Sequence, residues 1–249
     1  MNPRLFFFLG SGMVGISVKL KTEDYQLFLF DLEGLLIDTD ALHLQAYVDF
    51  LKKRKYELPW TLEEYVAISR SSASAIKEQV YELFPELHAI QPEWENLYKE
   101  KRQAYIALLK KHKISLMPGA EAFLNQMLYL GKTVAIVTNA SKEEVEIIRA
   151  KVPILNQIQD WVLREDYEKA TPDSQCYKIA IDKFSFARMG VIGFEDSARG
   201  LIALLGSSAT SILVSRYDYP QLAAYSGRYQ QVESFEAIEL VPERSFMGF

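Results

Sequence analysis

Four places in the chain carry residue types suited to phosphoryl chemistry: Asp31 with Glu33, Thr138 with Asn139, Lys169, and Glu195 with Asp196. Carboxylates, a hydroxyl, a side-chain amide and an amine together can hold and transfer a phosphoryl group. Taken singly, none of them is specific. An Asp at a strand end is ordinarily a turn or capping residue, and a Thr-Asn after a strand is commonly a helix cap. A lone Lys is ordinarily solvated, and Glu-Asp is a common dipeptide. What raises them above background is their placement, each just beyond or close behind an apolar segment that reads as a strand.

The elements that must position them follow from hydrophobic patterning. Tyr25-Gln-Leu-Phe-Leu-Phe30 is short, apolar and aromatic-rich, the signature of a strand buried on both faces, and it delivers Asp31 to its carboxyl end. Gly34 then lets the chain turn away sharply. Residues 132–137 are a second buried strand leading into Thr138-Asn139. A weaker strand around 161–163 precedes Lys169, residues 189–194 form a strand ending at Glu195-Asp196, and residues 210–215 form the last central strand. Helices are expected between them, over 120–130, from the capping box Ser141-Lys-Glu-Glu144 to about residue 150, and from Pro172-Asp173 to about 184. Strands alternating with helices imply a parallel, doubly wound (Rossmann-like) α/β sheet, in which the strand ends converge on one edge.

Between the first strand and the rest, about seventy residues read as helix. Helices are expected over 40–54, from the capping box Thr61-Leu-Glu-Glu64, over 73–84 up to Pro85, and from Pro92 to about Lys113. Four helices inserted there imply a separate helical cap domain, residues 41–116. The α/β core is then 25–40 and 117–249, preceded by an N-terminal extension, 1–24.

Composition narrows the class. A 249-residue chain with 49% hydrophobic and 24% charged residues can bury a sizeable core. A net charge of −5 argues against a nucleic-acid-binding face, so a phosphorylated ligand must be met by local cations or a metal. The single cysteine, Cys176, excludes an intrachain disulfide, fits a reducing compartment and reads as a small buried hydrophobe. Arg4 followed by an apolar run resembles the start of a signal peptide. That run is too short to span a bilayer and no small-x-small cleavage site follows it. The reading is a cytoplasmic protein, monomer or homodimer, whose partner is a small phosphorylated metabolite, with no nucleic-acid or membrane partner.

In order, these segments resemble the motifs of the haloacid dehalogenase-like superfamily, whose members are mostly phosphatases. Asp31-Leu-Glu33-Gly34-Leu-Leu-Ile-Asp38 is similar to the first motif, and Ala135-Ile-Val-Thr138-Asn139 to the second. Glu168-Lys169-Ala-Thr-Pro172-Asp173 is similar to the third, and Phe194-Glu195-Asp196-Ser197-Ala-Arg-Gly200 to the fourth. The resemblance covers roughly residues 25–240 and lies nearest the β-phosphoglucomutase and phosphoglycolate phosphatase-like branch. It implies a Mg²⁺-dependent phosphatase that forms an aspartyl-phosphate on Asp31. Mg²⁺ would be held by the Asp31 carboxylate, the Glu33 carbonyl and Asp196, with Glu195 in support. Lys169 would neutralise charge, Thr138 would hold phosphoryl oxygens, and the Glu33 side chain would act as acid and then base. Asn139, His43 at the cap entrance and Arg70 in the cap are the implied substrate contacts.

Three departures bear on this. Glu33 replaces the family's Asp, lengthening that arm by one methylene. Glu168 and Ala170 flank the lysine where Gly and Pro are usual, and Ile68-Ser69-Arg70-Ser71 occupies a substrate-loop region where relatives often have Gly. Two rival readings follow: a sugar phosphomutase with the same residues, and a non-catalytic binding protein with a modified site at Glu33. His88 and His112 read as solvated, and the Tyr98 and Tyr105 stripe reads as helix packing.

Overall fold

The computed structural model describes residues 17–186 and 190–241. In chain order the strands are β1 (Val18–Lys21), β2 (Tyr25–Phe30), β3 (Ile37–Asp38), β4 (Ser115–Leu116), β5 (Thr133–Val137), β6 (Asp160–Val162), β7 (Gly190–Glu195), β8 (Thr210–Val214), β9 (Gln230–Val232) and β10 (Ile238–Val241). Five helices separate β3 from β4: α1 (Asp40–Lys53), α2 (Leu62–Ser71), α3 (Ala75–Leu83), α4 (Pro85–Ile90) and α5 (Trp94–Lys111). The remainder are α6 (Ala120–Tyr129), α7 (Lys142–Lys151), α8 (Gln175–Phe184) and α9 (Ala198–Leu205).

Six strands form one parallel sheet in the order β6-β5-β2-β7-β8-β9. The chain starts at β2, runs outward through β5 and β6, then returns to β7 on the other side of β2. That reversal makes the carboxyl ends of β2 and β7 the switch point where such sheets bind ligands. Phe28 and Phe30 are wholly buried on one face of β2. Phe30 stacks on Phe194 with ring centroids 4.9 Å apart, and both meet Phe123. Leu27 and Leu29 project to the opposite face, against Tyr177 and Leu204. A strand with both faces covered reads as a continuous apolar run, as β2 does.

The two crossings between core and helical insertion are tied together, because Ile37 and Asp38 pair antiparallel with Leu116 and Ser115. The insertion has its own core, built around Tyr47, Phe50, Leu51, Tyr65, Val80 and Leu97. Both capping boxes form: the Thr61 side chain accepts from the Glu64 amide and the Ser141 side chain from the Glu144 amide.

The insertion has five helices rather than four. Pro85 ends α3 and also opens α4, since its missing N–H is harmless in a first turn. The expected N-terminal extension divides. Residues 1–16, with the apolar run and any leader, lie outside the described residues, whereas Val18–Lys21 pairs in parallel with Ile238–Val241 and buries Val18 and Leu20. Four residues whose partner lies more than two hundred positions away give no local signal. No helix among the described residues is long and apolar enough to cross a membrane.

Candidate active site

The register sets the site. Phe30 lies opposite Ile136 on one side and Phe194 on the other, so Asp31 emerges level with Val137 and Glu195. The Asp31 amide donates to the Phe194 carbonyl at 3.2 Å, carrying the ladder one residue further and fixing the backbone from which the carboxylate projects. Carboxylate oxygens of Asp31, Glu195 and Asp196 lie within 4.8 Å of one another. Gly34 takes a φ of +87°, and a Cβ there would come 2.9 Å from Arg70 Nη2 and closer still to Asp196 Oδ2. Only glycine lets this loop fold flat against both groups.

Three carboxyls so close repel ionisation. Burial, then the charges of Glu195 and Asp196, push Asp31 well above the usual range. Burial and the Asp196 charge push Glu195 up to about 7, although Tyr177 donates a hydrogen bond to it. Burial also raises Asp196, against the pull of Arg70. An all-oxygen carboxylate cluster crowded in this way fits a hard divalent cation, which would relieve the repulsion. Asp31 and Asp196 are the residues placed to hold such an ion. Glu195 is engaged by Tyr177, by the Asp196 amide at 3.2 Å and by the Ser197 hydroxyl at 3.4 Å, which suits it to support.

These directions predict a pH effect of definite sign. Glu195 keeps its proton to a higher pH folded than unfolded, so between 4.5 and about 7 the unfolded chain binds fewer protons. The melting temperature of the cation-free protein should therefore fall as pH rises through that window. Mg²⁺ should restore it, most strongly at the upper end. A melting temperature indifferent to both would contradict the crowded-cluster description.

Glu33 faces the other way, into the insertion. His43 Nε2 lies 3.1 Å from its Oε1, Tyr105 donates to the same oxygen, and the Thr39 hydroxyl is 3.5 Å away. Behind His43, Nδ1 is 2.6 Å from Nζ of Lys101, which is only 4% exposed. Burial raises the Glu33 pKa, but the His43 charge and the hydrogen bonds from His43 and Tyr105 outweigh it and hold the carboxyl down at about 2. Burial lowers Lys101 to about 8.

Arg70 crosses from the end of α2 into the core. Its Nε is 3.0 Å from Asp196 Oδ2 and its Nη2 is 2.6 Å from Asp40 Oδ2. Thr138 is buried, and its hydroxyl accepts from the Ala140 amide at 3.0 Å. Asn139 donates to Thr171 Oγ1 at 3.1 Å and accepts from Tyr167, so it braces the loop that follows β6. Lys169 is exposed, and among the described residues its side chain makes no ion pair with Asp31. The fold thus brings Asp31, Glu195, Asp196 and Arg70 together and sets Glu33 and His43 beside them. It leaves Lys169 apart, on a segment whose backbone amides at 168 and 169 are tied to Gln175.

Lys101 and Tyr105 were not singled out by sequence reasoning as site residues. Tyr105 is indeed packed, at 1% exposure, but its hydroxyl also serves Glu33, so helix packing is half of its role. Spaced by four on α5, the two residues share the face that meets α1, where His43 waits in the first turn. Their spacing was legible; the identity of the helix they face was not.

A parallel α/β sheet with a carboxylate cluster at its switch point, roofed by inserted helices, is built to meet a ligand at the carboxyl edge of its strands. The haloacid dehalogenase-like hydrolase family profile matches residues 28–214, and the chain belongs to that family, as an enzyme of the phosphatase type. It is 20% identical over 195 residues to protein CbbY of Rhodobacter capsulatus, covering 76% of this chain and 85% of the relative. It is 22% identical to the phosphorylated carbohydrates phosphatase of Thermotoga maritima, over 70% of this chain and 78% of that one. The structure of β-phosphoglucomutase from Clostridium difficile superposes with a TM-score of 0.66 at 18% identity, covering 85% and 92% of the two chains.

Proposed function

We propose that the chain is a Mg²⁺-dependent phosphatase of small phosphorylated sugars, working through an aspartyl-phosphate on Asp31. The observation that carries this is the Asp31 carboxylate held against Glu195 and Asp196 at the switch point. The phosphorylated carbohydrates phosphatase among its relatives supports the substrate class. Residues 25–40 and 117–249 serve as the core domain, and 41–116 as a cap domain that closes over the substrate and selects it.

In the first step an Asp31 carboxylate oxygen bonds to phosphorus, the bond to the leaving oxygen breaks, and that oxygen takes a proton from Glu33. In the second, a water oxygen bonds to phosphorus, its proton passes to Glu33, and the bond to Asp31 breaks. Asp31, the Glu33 carbonyl and Asp196 would hold Mg²⁺, which when bound would neutralise charge between nucleophile and phosphate. Held by His43 and Tyr105, Glu33 is a carboxylate suited to the second step. To protonate the leaving oxygen it must first swing out of that pocket, away from His43 and Tyr105, and take up a proton from water. Arg70, His43 and Asn139 position the substrate, Thr138 holds the loop that carries phosphate-facing amides, and Lys169 approaches the phosphate when its loop closes.

The test is a screen of phosphorylated metabolites with and without Mg²⁺. Release of inorganic phosphate from one or more sugar phosphates, abolished by chelation and restored by Mg²⁺, is the expected result. Binding of sugar phosphates with no turnover of any ester would replace this reading with a non-catalytic one.

A further inference from the structure

Arg70 lies in the last turn of α2 and is buried, at 9% exposure. Its two acceptors belong to different parts of the molecule. Nε is 3.0 Å from Asp196 Oδ2, at the carboxyl edge of the core sheet. Nη2 is 2.6 Å from Asp40 Oδ2, in the first turn of α1. The guanidinium carbon stands 5.9 Å from the centroid of the Tyr217 ring, and the Ser71 carbonyl accepts from Gln221 Nε2 at 2.8 Å. Helices α1 and α5 continue into the core through the paired crossings at β3 and β4. Helix α2, in the middle of the insertion, meets the core instead through these contacts and its packing on α9.

Asp196 is thereby asked to serve two cations. It is one of the carboxylates placed to hold a divalent ion, and it is also the core partner of Arg70. A Cβ at Gly34 would crowd both Asp196 Oδ2 and Arg70 Nη2, so the loop behind Asp31, the guanidinium and that oxygen are packed at contact distance. A divalent ion on either oxygen of Asp196 would add two positive charges beside a guanidinium already withdrawn from water. Repulsion between cations is strong where little water screens it. Occupancy of the cluster and the Arg70–Asp196 pair therefore oppose each other, and each must weaken the other by the same factor.

We propose that Arg70 stands in for the cation at Asp196 and latches the helical insertion to the core, yielding Asp196 when the cluster is loaded with a divalent ion. The latch joins α2 to Asp196 and to the crossing at Asp40, so its release loosens the end of α2 while α1 and α5 stay attached. It also frees the guanidinium to meet a substrate. This rests on the cation site of the phosphatase reading above, and not on turnover.

The experiment measures Mg²⁺ binding by calorimetry to chelator-stripped wild type, Arg70→Gln and Arg70→Lys. Hydrogen exchange over residues 66–72 and 217–222 is followed in the same proteins with and without Mg²⁺. Arg70→Gln should bind Mg²⁺ about tenfold or more tightly than wild type. Arg70→Lys keeps the charge but cannot bridge Asp40 and Asp196, and its affinity should fall between the two. Mg²⁺ should speed exchange in both segments of wild type, whereas in Arg70→Gln exchange should be fast without it. Asp196→Asn breaks the pair from the core side and should likewise speed exchange without metal, independently of any damage at position 70. Equal Mg²⁺ affinity in wild type and Arg70→Gln would overturn the latch, as would exchange in wild type that Mg²⁺ leaves unchanged or slows. Failure of wild type and both Arg70 variants to bind Mg²⁺ would overturn it as well. Tighter binding in Arg70→Gln and Mg²⁺-driven exchange in wild type, with no ester turned over, would uphold the latch and remove the phosphatase reading.

Discussion

Replacing Asp31 by Asn is expected to lower turnover by at least about 10⁴-fold while leaving the protein folded and, without a cation, more stable. The first half follows from the role of the carboxylate, since a carboxamide does not form the acyl phosphate that divides hydrolysis into two steps. The second follows from crowding. Burial and the charges of Glu195 and Asp196 hold Asp31 far above its usual pKa, so removing its charge relieves the cluster. A site arranged for chemistry at the expense of stability behaves in this way. Steady-state rates beside thermal melts in chelator give the check. A near-normal rate in Asp31→Asn would exclude it as nucleophile, and a less stable variant would refute the crowding.

Glu33→Gln is expected to slow cleavage of alkyl phosphates by about 10²–10⁴-fold, the usual worth of a positioned acid. The first step with an aryl phosphate should change little, because a phenolate leaves without a proton. Phosphoenzyme should then accumulate, since nothing activates water against it. The amide also loses the charge that His43 and Lys101 face, so Lys101, already lowered to about 8 by burial, should lose its proton more easily. Glu33→Asp keeps a carboxylate and should keep the second step. Burst rates and amplitudes for both substrate types measure this, and equal losses in the first step on alkyl and aryl esters would remove Glu33 from the acid role.

Much of the core was legible because its signals are local. The runs at 25–30, 132–137 and 210–215 are apolar on both faces, as parallel strands must be, and each polar residue directly behind them sits at a strand end. The boxes at Thr61 and Ser141 were readable because cap and partner are three residues apart. What escaped depends on distant partners. The pairing of Val18–Lys21 with Ile238–Val241 and the two-residue ribbon at the cap crossings carry no periodicity of their own. The Lys101–His43–Glu33–Tyr105 cluster exists because α5 lies along α1, a packing choice that neither helix announces alone. Lys169 shows the opposite limit. Its place in a motif is clear, yet the loop that carries it turns the side chain outward.

Locating the phosphoryl group during turnover tests the central claim most directly. Wild-type protein in Mg²⁺ is mixed with a ³²P-labelled sugar phosphate it hydrolyses, quenched in acid within the first turnover and digested. Label is expected on the peptide containing Asp31, as an acyl phosphate stable in acid and released by hydroxylamine. Phosphate released at the same rate with no protein-bound label at any quench time, or label on another residue, would contradict the account.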